Sequence, residues 1–187
     1  GKRPPEVLIG QLTGDPAVDA EISEWCQIAK VLHSLANARI GLMGHVLEAM
    51  LDMHTDPTAV TAAFGCHVVQ CEPDEIMRFY REPDAAAVSK KKAEILQFFD
   101  SPDPVSDPIT MRLTEKDLNT AARVAVALDR FIEGKNLDGL AYYYESLPGS
   151  EMQTLVTNMV VGNSLLCAAG VPICGEFDLK TCVAIMI

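Results

Sequence analysis

The sequence predicts an α/β fold, a three-layer Rossmann-like (doubly wound) arrangement built on a mainly parallel sheet. Two observations lead there. Four short apolar runs, at residues 39–44, 67–71, 137–144 and 171–175, are separated by stretches of helical periodicity. Strands that alternate with helices in this way form parallel sheets covered on both faces. The first of these runs is also apolar at nearly every position and ends in glycine, the pattern of a strand buried on both sides.

The elements follow in chain order. Val7 to Leu12 reads as a strand. Asp15-Pro16 reads as an N-cap followed by proline in the first helical position. Val18, Ile22, Trp25, Ile28 or Ala29, Leu32 and Leu35 then recur at helical spacing, which predicts one apolar stripe along residues 16–36. Arg39 to Gly44 is the first buried strand, and residues 45–55, rich in Met and His, fit neither helix nor loop clearly. Asp56-Pro57 opens a short helix closed by Gly65, and His67 to Cys71 is the next strand. Pro73 opens another helix, and Val88 to Phe99 makes a further one, with Lys90-Lys91-Lys92 as a solvated face.

Three prolines and three aspartates mark residues 100–113 as a surface loop. Thr114-Glu115-Lys116-Asp117 resembles a capping box for a helix that runs through Ile132 and stops at Gly134. Leu137 to Tyr144 is a strand, and 151–169 is a helix apolar on most faces and therefore buried. Val171 to Gly175 is the last strand, and a helix starts from Phe177. Residues 1–36 are expected to be the end of a preceding domain with its connecting helix, and residues 37–187 the central Rossmann-like domain. The wholly apolar ending Val183 to Ile187, with no cap or charge after it, leads to the expectation of a fragment of a longer protein.

Nearly half of the residues are apolar and the formal net charge is −11. Such a composition is globular, and so acidic a surface disfavours nucleic acid or an anionic membrane as the main partner. No run is apolar for long enough to span a bilayer, and residues 1–5 lack the apolar stretch of a signal peptide. The six cysteines form no Cys-x-x-Cys pair, and several lie in apolar runs. They are expected to be reduced, mostly buried thiols of a cytoplasmic protein.

Ligands of parallel α/β sheets bind beyond the carboxyl ends of the strands. Four segments qualify: 44–53, 71–74, 144–147 and 175–178. Glu176 is the sharpest candidate, because it follows a buried strand, precedes a helix and is flanked by Gly175 and Asp178. A carboxylate there suits metal binding or proton transfer, and it equally suits a helix-capping acid. His45 and His54 flank the Met-rich stretch and are weaker ligand candidates than structural histidines. Cys66, His67 and Cys71 match no common zinc spacing. Of Tyr142, Tyr143 and Tyr144, one at the strand end is placed to face a ligand. No glycine-rich phosphate motif follows any strand, which disfavours dinucleotides and nucleoside triphosphates.

The segment Cys174-Gly175-Glu176-Phe177-Asp178-Leu179-Lys180-Thr181 resembles the Gly-Glu-x-Asp-x-Lys-Thr segment of L-arabinose isomerases and the Glu-x-Asp segment of L-fucose isomerases. Asp15-Pro16 with Trp25, Arg39 to Gly44, Phe64-Gly65 and Tyr144-Glu145 fall in the same order at similar spacing. The resemblance implies a metal-dependent aldose–ketose isomerase acting through an ene-diol. Glu176 would be both a ligand of a divalent metal, usually manganese, and a catalytic proton-transfer residue. Tyr144 and His45 would border the sugar pocket. The partner would be a small-molecule sugar, and the complete protein a homo-oligomer whose further metal ligands lie beyond the residue matching Ile187. Phe177 stands where arabinose isomerases usually have glycine, and His45 and Met53 also depart from their pattern. A different class of function is carried beside this one, a non-catalytic Rossmann-like sugar-binding or regulatory module.

Overall fold

A computed structural model describes residues 5–100, 103, 105–109 and 112–187 of the chain. It is an α/β domain. The elements are α1 (Pro16–Asn37), β1 (Arg39–Gly44), α2 (Pro57–Phe64), β2 (His67–Cys71), α3 (Pro73–Arg81), α4 (Ala85–Phe98), α5 (Glu115–Lys135), β3 (Gly139–Tyr143), α6 (Glu151–Ala168), β4 (Ile173–Cys174) and α7 (Leu179–Ile185), with a short 3-10 turn at Leu51–Met53. The strands form one sheet in the order β2-β1-β3-β4, and every pairing is parallel. All four carboxyl ends therefore lie at one edge.

Helices cover both faces, and the side chains of each strand alternate between them. Met43, Cys71, Leu140 and Tyr142 face a core shared with Ile76, Met77 and Tyr80 of α3, Val124, Leu128 and Phe131 of α5, and Leu155 and Met159 of α6. Ile40, Leu42, Ala141 and Cys174 face the other core, with Leu35 of α1, Val60 of α2 and Leu179, Cys182 and Val183 of α7. Helix α4 forms a satellite cluster, with Ile95 packed beside Ala122 and Leu165. The chain leaves β1 for β2 on one side and returns to β3 on the other. The carboxyl ends of β1 and β3 thus flank the topological switch point, where ligands of open parallel sheets bind.

The helix starts follow their sequence signals. Asp15 and Asp56 accept from the backbone N–H groups of Val18 and Thr58, each with proline in the first turn. Thr114 and Asp117 complete a reciprocal capping box. Helix α5 runs one residue past Gly134 and closes on Asn136 in the left-handed region at φ 51°. The Val88–Phe99 helix begins earlier, at Ala85, because the Asp84 side chain caps Ala86 and Ala87. Turns fill the described part of 100–113, with residues 101, 102, 104, 110 and 111 outside the described set.

Three expectations are corrected. Val7 to Leu12 is not a strand; it pairs with no strand among the described residues, and Val7, Ile9 and Leu12 are exposed. The last strand is reduced to Ile173–Cys174, since Gly170 turns at φ 87° and Pro172 has no N–H to give to the ladder. The final helix starts at Leu179 rather than Phe177, because Glu176 and Phe177 both adopt left-handed backbone, at φ 55° and 61°.

The stripe on α1 forms, but of α1 only Leu35 is buried; Ile22, Trp25, Ile28 and Leu32 remain 45–58% exposed. Among the described residues no helix is long and apolar enough to cross a membrane. All six cysteines are free; Cys66, Cys71, Cys174 and Cys182 are buried, and Cys26 and Cys167 are exposed.

Candidate functional site

The carboxyl edge is assembled by β1, β3 and the turn after β4. Gly44 ends β1 at φ 95°, and a Cβ there would sit 1.8 Å from the Tyr143 carbonyl oxygen. Only glycine lets the two strand ends approach this closely. The next residue uses the approach: the His45 N–H donates to that same Tyr143 carbonyl at 2.9 Å. The His45 ring then lies edge-on to the Tyr143 ring, with centroids 5.6 Å apart. His45 is exposed, and its Nδ1 is 3.0 Å from the Val46 carbonyl oxygen.

Tyr143 is half-buried, and its hydroxyl donates to Glu145 Oε1 at 2.7 Å. That bond holds the phenol proton, and the nearby charges of Glu145 and Glu176 add to it, so the phenol is pushed up to about 12. Tyr142 and Tyr144 point the opposite way. Tyr144, the aromatic expected at the sugar pocket, is placed inside the core: it is 6% exposed, and its hydroxyl faces Met159 Sδ at 3.9 Å. Burial raises its phenol well above the ordinary range. Strand alternation is the reason, since one parity of three successive tyrosines must face α6. Tyr143 is the tyrosine at the edge.

Glu176 occupies the tight turn between β4 and α7. The Phe177 N–H donates to the Tyr142 carbonyl at 3.1 Å, and the Asp178 N–H donates to the Gly175 carbonyl at 3.0 Å. Together they hold two successive non-glycine residues in left-handed backbone, which costs about 1–2 kcal/mol for each. Phe177, where the resembled family usually has glycine, therefore sits in the conformation that glycine adopts most easily. It is partly buried against Leu179 and its neighbours, which gives a side chain at this position a packing role.

The helix-capping reading of Glu176 does not fit the geometry. Asp178 caps α7, its Oδ1 accepting from the Thr181 N–H at 3.0 Å and its Oδ2 from the Thr181 hydroxyl at 2.5 Å. Burial pushes the Asp178 carboxyl up, but these two bonds, with the charge and backbone N–H of Lys180, outweigh it and leave the group below its ordinary value. Glu176 Oε2 is buried and accepts no hydrogen bond among the described residues. Two other side-chain oxygens share that condition, Glu75 Oε2 and Asn163 Oδ1. Glu75 Oε2 is compensated by Lys135 Nζ at 2.6 Å. Asn163 belongs to the Glu176 neighbourhood through Tyr142, whose hydroxyl accepts from Asn163 Nδ2 at 2.7 Å. Burial raises the Tyr142 phenol, and the charge of Glu176 adds to that.

Asn163 and Tyr143 had no separate signal in the sequence. Asn163 stands out only as one of two adjacent polar residues, with Ser164, in the largely apolar stretch 159–171. His54 is exposed, and Cys66 and Cys71 lie in the cores on opposite faces of the sheet. Among the described residues, no group of three or more His, Cys, Asp or Glu side chains is placed to hold a metal ion. Glu176 thus offers a single carboxylate, with an oxygen that lacks a partner. A cavity of about 570 Å³, lined in part by His33, Asn37, Asp138 and Pro172, opens at the opposite, amino edge of the strands. The rule that places ligands at the carboxyl ends makes it the weaker candidate despite its size.

No protein-family model matches the chain, and no curated protein matches it.

Proposed function

We propose that this domain carries the glutamate of a metal-dependent aldose–ketose isomerase of the L-arabinose/L-fucose isomerase kind, acting on a small sugar. One observation supports this reading above the others. Glu176 is held in strained backbone at the ligand-binding edge, with a buried carboxylate oxygen that accepts no hydrogen bond among the described residues. Proteins keep such a residue where its side chain serves something other than folding. The resemblance of segment 174–181 names the chemistry.

In that chemistry a proton moves between C1 and C2 of the sugar through an ene-diol. The Glu176 carboxylate would take the proton from one carbon and return it to the other, and its fixed direction at the turn keeps it on one face of the substrate. A divalent metal, manganese in the resembled family, supplies charge stabilisation of the developing oxyanion when bound. Glu176 would be one of its ligands; the remaining ligands would come from outside the described residues. His45 and Tyr143 would border the sugar, with the Tyr143 phenol protonated and held by Glu145. The site would be completed in a cytoplasmic homo-oligomer.

A second reading is a sugar-binding or regulatory module without catalysis, which would use the same sheet edge. The protein encoded by the complete gene, assayed with manganese against L-arabinose and L-fucose, separates the two. Ketose formation that is abolished by a chelator and restored by manganese supports the isomerase. Sugar binding without any ketose formation supports the module.

A further inference from the structure

We infer that Lys180 is a positioning residue that fastens the turn at 50–54 to the edge bearing Glu176. Segment 46–54 leaves the sheet after β1 and returns at the Asp56 cap of α2. Nothing in it is buried, and Leu51 is 75% exposed. Its own hydrogen bonds are short-range: Met50 N–H to the Leu47 carbonyl, Met53 N–H to the Met50 carbonyl, and His54 N–H to the Leu51 carbonyl. The 3-10 turn at its centre has no side-chain cap. A segment with so few buried contacts opens easily on its own.

The long-range bond of this segment comes from α7. Lys180 Nζ donates to the Asp52 carbonyl at 2.5 Å, across 128 positions of sequence. Lys180 is exposed and has no carboxylate within ion-pair distance among the described residues; the Asp52 carbonyl holds its ammonium, with the charge of Asp178 nearby. It stands four positions after Glu176 and two after the Asp178 cap, in the first turn of α7. The start of the segment is anchored separately, by His45 on Tyr143. The result is a loop tied at its root to β3 and at its middle to the helix that follows the Glu176 turn. Lys180 thereby couples the placement of 50–54 to that of Glu176. Taking this turn as one wall of a sugar site rests on the isomerase reading; the clamp itself does not.

The test uses the protein encoded by the complete gene, with Lys180→Met and Lys180→Arg. Hydrogen exchange at 50–54 should quicken about tenfold in Lys180→Met, the scale of losing one charge-assisted hydrogen bond at a partly screened site. Exchange in β3 should not change, and Lys180→Arg should restore most of the protection. The KM for the sugar should rise several-fold in Lys180→Met while kcat changes less. Unaltered exchange at 50–54 overturns the clamp. Faster exchange with unaltered KM overturns the wall. If the unsubstituted protein converts no sugar, the isomerase reading fails, and the exchange result still decides the clamp.

Discussion

Replacing Glu176 by glycine should stabilise the metal-free protein, which is the opposite of what losing a structural residue does. Its backbone sits at φ 55°. Relief of left-handed strain returns about 1–2 kcal/mol, and the greater freedom of glycine in the unfolded chain takes back about 0.4–1 kcal/mol. Removing a buried oxygen that accepts no hydrogen bond returns about 1–3 kcal/mol more. Loss of the partly buried side-chain methylenes costs about 1 kcal/mol. The balance is a gain of about 2 kcal/mol, or roughly 4–8 °C in Tm for a chain of this size. Asp178→Ala is the control: it removes the α7 cap and should cost about 1 kcal/mol. Urea and thermal unfolding of both variants give the signs. If Glu176→Gly loses 1 kcal/mol or more, Glu176 is a structural residue and the strain argument is wrong.

Gly44→Ala should lose on the order of 3 kcal/mol in denaturant unfolding, because the new Cβ meets the Tyr143 carbonyl oxygen at a backbone of φ 95°. Acid should lower the stability of the protein as carboxylates titrate. Asp15 is held below its ordinary value of 3.8 by the Gln11 N–H, Asp56 by the Thr58 hydroxyl and Asp117 by the Thr114 hydroxyl. Groups lowered on folding contribute fully above their unfolded value, so this stability is lost as pH falls below 3.8. Asp129 acts in the opposite sense, since burial raises it despite its bond to Lys91. Unfolding measured between pH 5 and pH 2 checks the direction. A thiol reagent should find two fast groups in the native protein, Cys26 and Cys167, and six after denaturation. Fewer than six would reveal a disulfide.

Much of the fold is legible in the residues because local signals and tertiary structure agree there. Asp-Pro at 15–16 and 56–57 and the box at 114–117 fix helix starts by chemistry that needs only neighbouring atoms. The apolar runs at 39–44 and 67–71 become strands with those bounds. Val7 to Leu12 is similarly apolar, but it has no neighbouring strand to bond with among the described residues, and composition alone cannot supply one. The carboxyl edge is where reading fails in detail. Non-glycine left-handed residues at 176 and 177 leave no mark in a sequence, because a tertiary bond to Tyr142, together with the local bond to Gly175, holds them. Three consecutive tyrosines show that alternation will separate them, but not which parity faces the core. The 51–53 turn receives a hydrogen bond from a lysine that is remote in sequence, which no local pattern announces.

The assignment of Glu176 is tested most directly by Glu176→Gln in the protein encoded by the complete gene. The substitution keeps size and hydrogen bonding but removes the charge and the basic oxygen. Sugar turnover with manganese, and manganese affinity by titration calorimetry, are compared with the unsubstituted protein. The account predicts an intact fold, weaker metal binding and turnover reduced by at least about a hundredfold, the scale of losing a general base. Near-normal turnover together with near-normal manganese affinity would contradict it.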